Sequence, residues 1–214
     1  KTKYFFPRIS GLSKSPELLF IQSNDAIKSY KNTVKEMLWL SRDFFIKKEK
    51  DKETQLIALR EYQEEFRDDI LNFLSRIVKQ KLDYKNVSKA LNLVSLVNEI
   101  EHIAFKLESS LETLDSQAPS FDERYIGLEE YFKKTVKCYS KACNAVMYDS
   151  YEDSQKILAK LDALRKVEEE LRNKSVEDLL DEQDYEHEKL NLWVLEFIRS
   201  VNATSRRICN IVKK

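Results

Sequence analysis

YKNTVK at residues 30–35 returns as FKKTVK at residues 132–137. Threonine, valine and both lysines coincide, at a spacing of 132 − 30 = 102. Later in each half a second match falls at almost the same spacing. With 201 − 100 = 101, Ile100 lands on Val201, Val97 on Ile198, Leu107 on Ile208 and Leu111 on Val212. Amphipathic stripes align easily by chance, so the TVK identity carries most of the weight. Together the two matches predict a chain built by repeating one unit.

The residues between the matches say what that unit is. The 214 residues include only 2 Gly and 3 Pro, against a usual ~7% and ~5%. Tight turns, hairpins and Gly-rich phosphate loops therefore have little to be made from. Charged residues make up 35% and apolar ones 42%, a balance that suits long amphipathic helices with enough Leu, Ile, Val and Phe to fill a core.

Ser15, Pro16 and Glu17 open the first helix as N-cap, first helical residue and first-turn acid, each suited to the positive end of a helix. That helix is expected to reach about residue 48. A second, over roughly 52–81, follows from Leu56, Leu59, Phe66, Ile70, Phe73, Leu74 and Ile77 at helical spacing. A third, over roughly 86–114, carries the stripe Leu93, Leu96, Val97, Ile100, Ile103, Ala104, Leu107 and Leu111. DSQAPS (115–120) is a loop. Ser120 and Glu123 form a capping box for a fourth helix that runs to about 148. Ser150 is expected to cap a fifth, ending near Asn173, and Ser175 a sixth that continues to the end.

No segment reads as a strand. The reading is all-α: two tandem three-helix bundles, six helices in all, antiparallel where the connections are short. Residues 1–15 form a lead-in connector, 16–114 the first repeat, 115–119 a linker and 120–214 the second repeat.

The totals also exclude classes of function. Net charge is zero, 37 basic against 37 acidic, so no field over the whole surface attracts nucleic acid. Cys138, Cys143 and Cys209 are odd in number and lack CxxC spacing. They read as reduced, buried thiols of a cytosolic setting. No apolar run approaches the ~18 residues of a membrane span, and no secretory leader is visible. The sequence opens on Lys1 without an initiator Met and is read as a piece of something longer. GxSxG, HExxH, P-loop and Rossmann patterns are absent, and two histidines give few options for a Cys–His pair. The chain is read as non-catalytic.

Each half has a second special flank on its last helix. At ~100° per residue, Glu101 lies about 100° and Phe105 about 140° from the stripe centred on Ile100. Asn202 and Arg206 hold the same two places relative to Val201.

ISGLSKSPELLFIQSNDAIKSYKNTVKEML (9–38) resembles the start of the cytoplasmic region that follows the membrane spans in bacterial sodium–phosphate cotransporter-family proteins, where a short connector ending in Ser/Thr-Pro leads into a long helix. The doubled three-helix layout resembles the PhoU fold, which that region adopts. The resemblance covers nearly the whole chain. It implies a non-catalytic regulatory or scaffolding domain of a sodium-dependent phosphate transporter, held at the cytoplasmic face of the inner membrane. Its partner is the transmembrane part of the same polypeptide, with a homo-oligomer left open. The alternative is a free-standing PhoU-type metal-binding regulator of phosphate uptake.

PhoU-like repeats carry an E/D-x-x-x-D pair on the third helix, two acids one turn apart that share a cation. The matching positions here read Glu101-His-Ile-Ala-Phe105 and Asn202-Ala-Thr-Ser-Arg206. One keeps a single acid; the other has none and places a guanidinium where a ligand belongs. The metal cluster implied by the resemblance is therefore read as lost, and no cofactor is expected. Glu61, Glu65 and Asp69, at i, i+4 and i+8, are the residual candidates for metal ligands, with a solvated face as the competing reading. His102 is expected to be exposed, and His187 to sit at the solvated start of the sixth helix. Phe105 and the lead-in residues Tyr4, Phe5 and Phe6 are the candidate contact surface. For Phe105, packing between the two halves is the favoured alternative.

Overall fold

The computed structural model describes residues 15–45, 49, 51–113, 126–180 and 185–214. Those residues form six helices and no strand: α1 (Pro16–Phe45), α2 (Asp51–Val78), α3 (Tyr84–Thr113), α4 (Ile126–Met147), α5 (Tyr151–Leu180) and α6 (Tyr185–Cys209). The connector, the linker and the Ser120–Glu123 capping box lie outside the described residues, save for Ser15.

Local chemistry sets the helix starts. The Leu18 amide donates to Ser15 Oγ at 3.4 Å and Asp153 N–H to Ser150 Oγ at 3.2 Å, as the two expected caps require. α3 begins two residues earlier than the stripe suggests, because Asp83 caps it: the Asn86 amide donates to Asp83 Oδ1 at 2.8 Å. α4 stops where Asp149 turns left-handed, at φ 51°. The Ser150 amide there reaches back to the Ala145 carbonyl at 2.8 Å, the wrap-around closure that glycine more often provides.

One boundary differs substantially. α5 does not end near Asn173, and Ser175 is not a cap. The helix runs on to Leu180 with Ser175 buried inside it at 2% exposure. The segment NKSVEDLL contains no breaker, and a serine within a helix is tolerated when its hydroxyl finds a partner. Asn191 of α6 supplies one, donating through Nδ2 to Ser175 Oγ.

α1–α3 pack as one three-helix unit and α4–α6 as a second. α1 and α3 meet α4 and α6 along the seam, while α2 and α5 touch only helices of their own half among the described residues. Across the seam Trp39 meets Phe132 edge-on with ring centroids 5.7 Å apart, and Phe45 meets Trp193 at 5.2 Å. Polar groups cross it too. Lys31, 5% exposed, donates to Asn144 Oδ1 at 3.0 Å, and the Tyr139 hydroxyl donates to the Lys31 carbonyl at 3.1 Å. No helix of the described residues is long and apolar enough to cross a membrane.

The hydrogen bonds fix the register of the repeat. Tyr30 OH bonds Glu101, and Tyr131 OH bonds Asn202; both pairs are 71 residues apart. Tyr30 therefore corresponds to Tyr131, an offset of 131 − 30 = 101, the same as between α3 and α6. The buried positions Leu56, Arg60, Gln63 and Leu74 of α2 fall at that offset on Ile157, Leu161, Leu164 and Ser175 of α5, all buried. The TVK identity at 102 is thus one residue out of register. A one-residue slip rotates a helix by ~100°, which a stripe broad enough to bury Tyr131 and Phe132 together hides from inspection.

Candidate functional site: the polar flanks of α3 and α6

Glu101 stands half-buried on α3 and is held from α1 and α2. Its carboxylate accepts from Arg60 Nη1 at 3.0 Å, from Arg67 Nη1 at 2.8 Å and from Gln63 Nε2; Tyr30 OH donates to it at 3.5 Å. Arg60 extends the network, reaching Glu108 at 2.5 Å and Glu64 at 3.1 Å. Burial opposes the charge of Arg60, but its bonds to Glu108 and Glu101 outweigh that and hold its pKa above the ordinary value. Burial, reinforced by the Glu101 charge, pushes the Tyr30 phenol far above its usual pKa.

Arg60, Gln63 and Arg67 are the residues the sequence reading missed. They occupy i, i+3 and i+7 of α2, beside the apolar stripe. A basic or amide residue that recurs on the inward side of a helix signals a buried partner, and here that partner is Glu101. Glu61, Glu65 and Asp69 lie on another side of α2, ~100–180° round from Arg60; Glu61 and Glu65 are exposed and Asp69 is half-buried. The structure does not bring them beside Glu101 in place of the guanidiniums. No group of three or more His, Cys, Asp or Glu that could hold a metal ion occurs among the described residues.

Phe105 is 56% exposed. It does not pack between the halves, so the favoured alternative for it is overturned. The angle explains why: a residue ~140° from the stripe faces away from the seam once α2 occupies the Glu101 side. His102 is exposed. The side chain of His187, and Tyr4, Phe5 and Phe6, lie outside the described residues.

The second flank is built from different chemistry at the same places. Asn202 Nδ2 donates to Tyr131 OH at 3.0 Å, and burial lifts that phenol's pKa to about 12. Asn202 Oδ1 is buried without a partner among the described residues. Arg206 Nη2 donates to Asp162 Oδ1 of α5 at 2.6 Å. At offset 101, Glu168 stands where α2 has Arg67; it is buried and binds Arg172, which also reaches Glu196 at 3.2 Å. The α2 flank presents cations to an acid, whereas the α5 flank presents acids to arginine.

These residues do not fit the acid-pair cation site that the resemblance implies. A cation at Glu101 would compete with two guanidiniums for one carboxylate, beside a phenyl ring that offers no donor. At Asn202 it would meet a single neutral oxygen, with a guanidinium one turn away.

No protein-family model matches the sequence, and no curated protein is similar to it. Solved structures are. The phosphate transport system regulatory protein PhoU from Streptococcus pneumoniae is similar over 92% of this chain and 95% of its own, with TM-score 0.78 and 11% identity. PhoU from Pseudomonas aeruginosa is similar over 92% and 97%, with TM-score 0.79 and 11% identity. At that identity the likeness speaks for backbone arrangement and not for side chains, and on it the six helices of this chain have the PhoU fold.

Proposed function

We propose that this chain is a non-catalytic regulatory domain that acts on a phosphate transporter, and that it works by docking. The observation that carries this reading is the doubled three-helix fold, shared with a phosphate transport regulator over 92% of the chain. The lead-in resemblance at 9–38 supports the finer version. In it the domain belongs to a sodium–phosphate cotransporter-family protein and sits at the cytoplasmic face of the inner membrane, against the transmembrane part of its own polypeptide. The groove at the start of α1 is assigned to that junction. It measures about 1340 Å³, and its lining includes Ser15, Phe20, Ile21, Tyr84 and Ile211 with Lys213 and Lys214. Ile21 and Tyr84 are exposed there, as is Leu18 nearby. Phe105 is proposed as a second contact.

Regulation in this reading uses no bound metal, because Glu101 is engaged by Arg60 and Arg67. Elemental analysis of the purified protein is expected to find no stoichiometric iron, manganese or zinc; one ion per chain contradicts this. Removing residues 16–214 from the full-length protein in cells is expected to alter phosphate uptake while its membrane level stays intact. Unchanged uptake kinetics and phosphate response would sink the regulatory role. Finding apolar spans encoded upstream of residue 1 would favour this reading over a free-standing regulator.

A further inference from the structure

Between α4 and α5, away from both flanks, lies an open groove of about 280 Å³. Lys134, Lys137 and Lys141 of α4 and Lys160 of α5 ring it. Its floor is Cys138, Ala163, Leu164 and Val167. Among the described residues none of the four lysines makes an ion pair. Lys141 lies against Lys160, with Lys137 next to it, and this repulsion pushes its pKa down. The fields of Lys160, Lys141 and Lys137 all reach the Cys138 thiol, which burial nonetheless keeps at a raised pKa. In a chain of zero net charge, four ammoniums have been gathered around one concavity at an electrostatic cost.

The repeat supplies an internal control. At offset 101 the four lysines correspond to Thr33, Glu36, Leu40 and Leu59, and Ala163 and Val167 to Tyr62 and Phe66. In the first half Tyr62 and Phe66 lie with ring centroids 5.7 Å apart, packed on the core with Leu40 and Leu59. The same scaffold position is filled and apolar in one half, but emptied and cationic in the other. The fold does not require the groove, so its opening and its charge are particular to the second half.

We propose that the α4–α5 groove binds a small oligophosphate anion, free or carried on a nucleoside. Lysine is a compact point charge with three donors, suited to phosphate oxygens. Four ammoniums match an anion of three or four charges better than orthophosphate. The site is concave with a recessed apolar floor, unlike the flat basic face that lies on a membrane. It also lacks the aromatic platforms that stack single-stranded nucleic acid.

The test is calorimetric titration of the 214-residue protein at low salt with tripolyphosphate, ATP, orthophosphate and pyrophosphate. Tripolyphosphate should bind more tightly than orthophosphate and weaken as salt rises. Equal affinity for ATP and tripolyphosphate points to the phosphate chain alone, and tighter binding of ATP to a base resting on Leu164 and Val167. Lys141→Gln with Lys160→Gln should weaken binding by about ten-fold or more. Lys156→Gln, whose lysine pairs with Glu152 on the same helix, should not. Ala163→Tyr with Val167→Phe copies the first half and fills the groove while leaving all four charges; it should abolish binding, with helicity and melting confirming the fold. Wild-type affinity in the filled or the charge-depleted variant overturns the proposal. So does the absence of binding to any of the four anions, or capture only by vesicles of phosphatidylserine and phosphatidylcholine.

Discussion

Glu101→Gln removes one charge and no bulk, and tests whether the α3 flank is an internal lock. The glutamate side chain is 17% exposed, Arg60 9% and Arg67 26%. Breaking a fully buried pair costs about 3–5 kcal/mol, because the survivor is left uncompensated; exposed pairs are worth about 0–1 kcal/mol. This network lies between those limits. Arg60 keeps Glu108 and Glu64, and Arg67 keeps Asp68, so neither guanidinium is orphaned. A loss of about 2–3 kcal/mol follows, or a fall of about 5–10 °C in Tm for a chain of this size. Urea unfolding followed by helical circular dichroism gives the free energy, and a double-mutant cycle with Arg67→Gln should give a coupling of about 1 kcal/mol. Asn202→Ala, which removes a neutral bond in the second half, should cost about 1 kcal/mol. A change below about 0.5 kcal/mol in Glu101→Gln would mean that the carboxylate is not held as described.

Phe105→Asp recreates the acid pair with Glu101. With Arg60 and Arg67 in place, the variant should take up no stoichiometric manganese or iron by elemental analysis, and uptake would refute the competition argument. Burial lowers the pKa of Lys31, so between that lowered value and the ordinary ~10.5 the unfolded chain binds more protons and stability rises with pH. Lys31→Met should abolish that slope in chemical denaturation and stabilise the protein by about 1 kcal/mol at neutral pH. Tyr131 shows the opposite sign. Its folded pKa of about 12 exceeds the unfolded value, so its contribution is intact below about pH 10 and is lost as pH rises through about 12. Tyr30, Tyr131 and Tyr139 should remain phenols until the chain unfolds, seen as a cooperative late step in phenolate absorbance. Asp149→Gly relieves a left-handed residue and should raise stability by about 0.5–1 kcal/mol in the same denaturation assay.

The scaffold was legible because helices announce themselves through composition and period. Ser15 and Ser150 cap as expected, and the stripes of α2 and α3 are buried as read, save that Leu111 is only partly buried. What failed did so for physical reasons. Ser175 carries the same local signal as a true cap; only its partner Asn191, 16 residues on, decides that it stays helical. The TVK identity misplaced the repeat by one residue because both candidate registers bury apolar side chains. At the flank, the sequence marked Glu101 and Phe105 but not what holds Glu101, because Arg60 and Arg67 lie 41 and 34 residues away on another helix. The lysine groove was invisible for a similar reason. Lys160 belongs to a different helix from the other three, and heavily charged helices hide such convergence.

The two flanks can differ because the fold does not depend on them. Glu101 and Phe105 lie off the stripe, whereas Ile100, Leu107, Ile70 and Leu74 are fully buried and supply the apolar burial that holds three helices together. Within that frame Glu101 is self-explaining, since its carboxylate bridges Arg60 and Arg67 and ties α3 to α2. Phe105 is not. A ring 56% exposed gains little from folding, and a polar residue at the same place would cost the bundle nothing. Stability therefore gives no reason for a phenyl group on the outside of α3, where the resemblance leads one to expect an acid. An isolated exposed aromatic is ordinary on a protein surface, but here it stands one turn from a carboxylate held in an ion network. Together they make the α3 flank locked and partly apolar, which is chemistry suited to contact with another protein surface and unsuited to coordination.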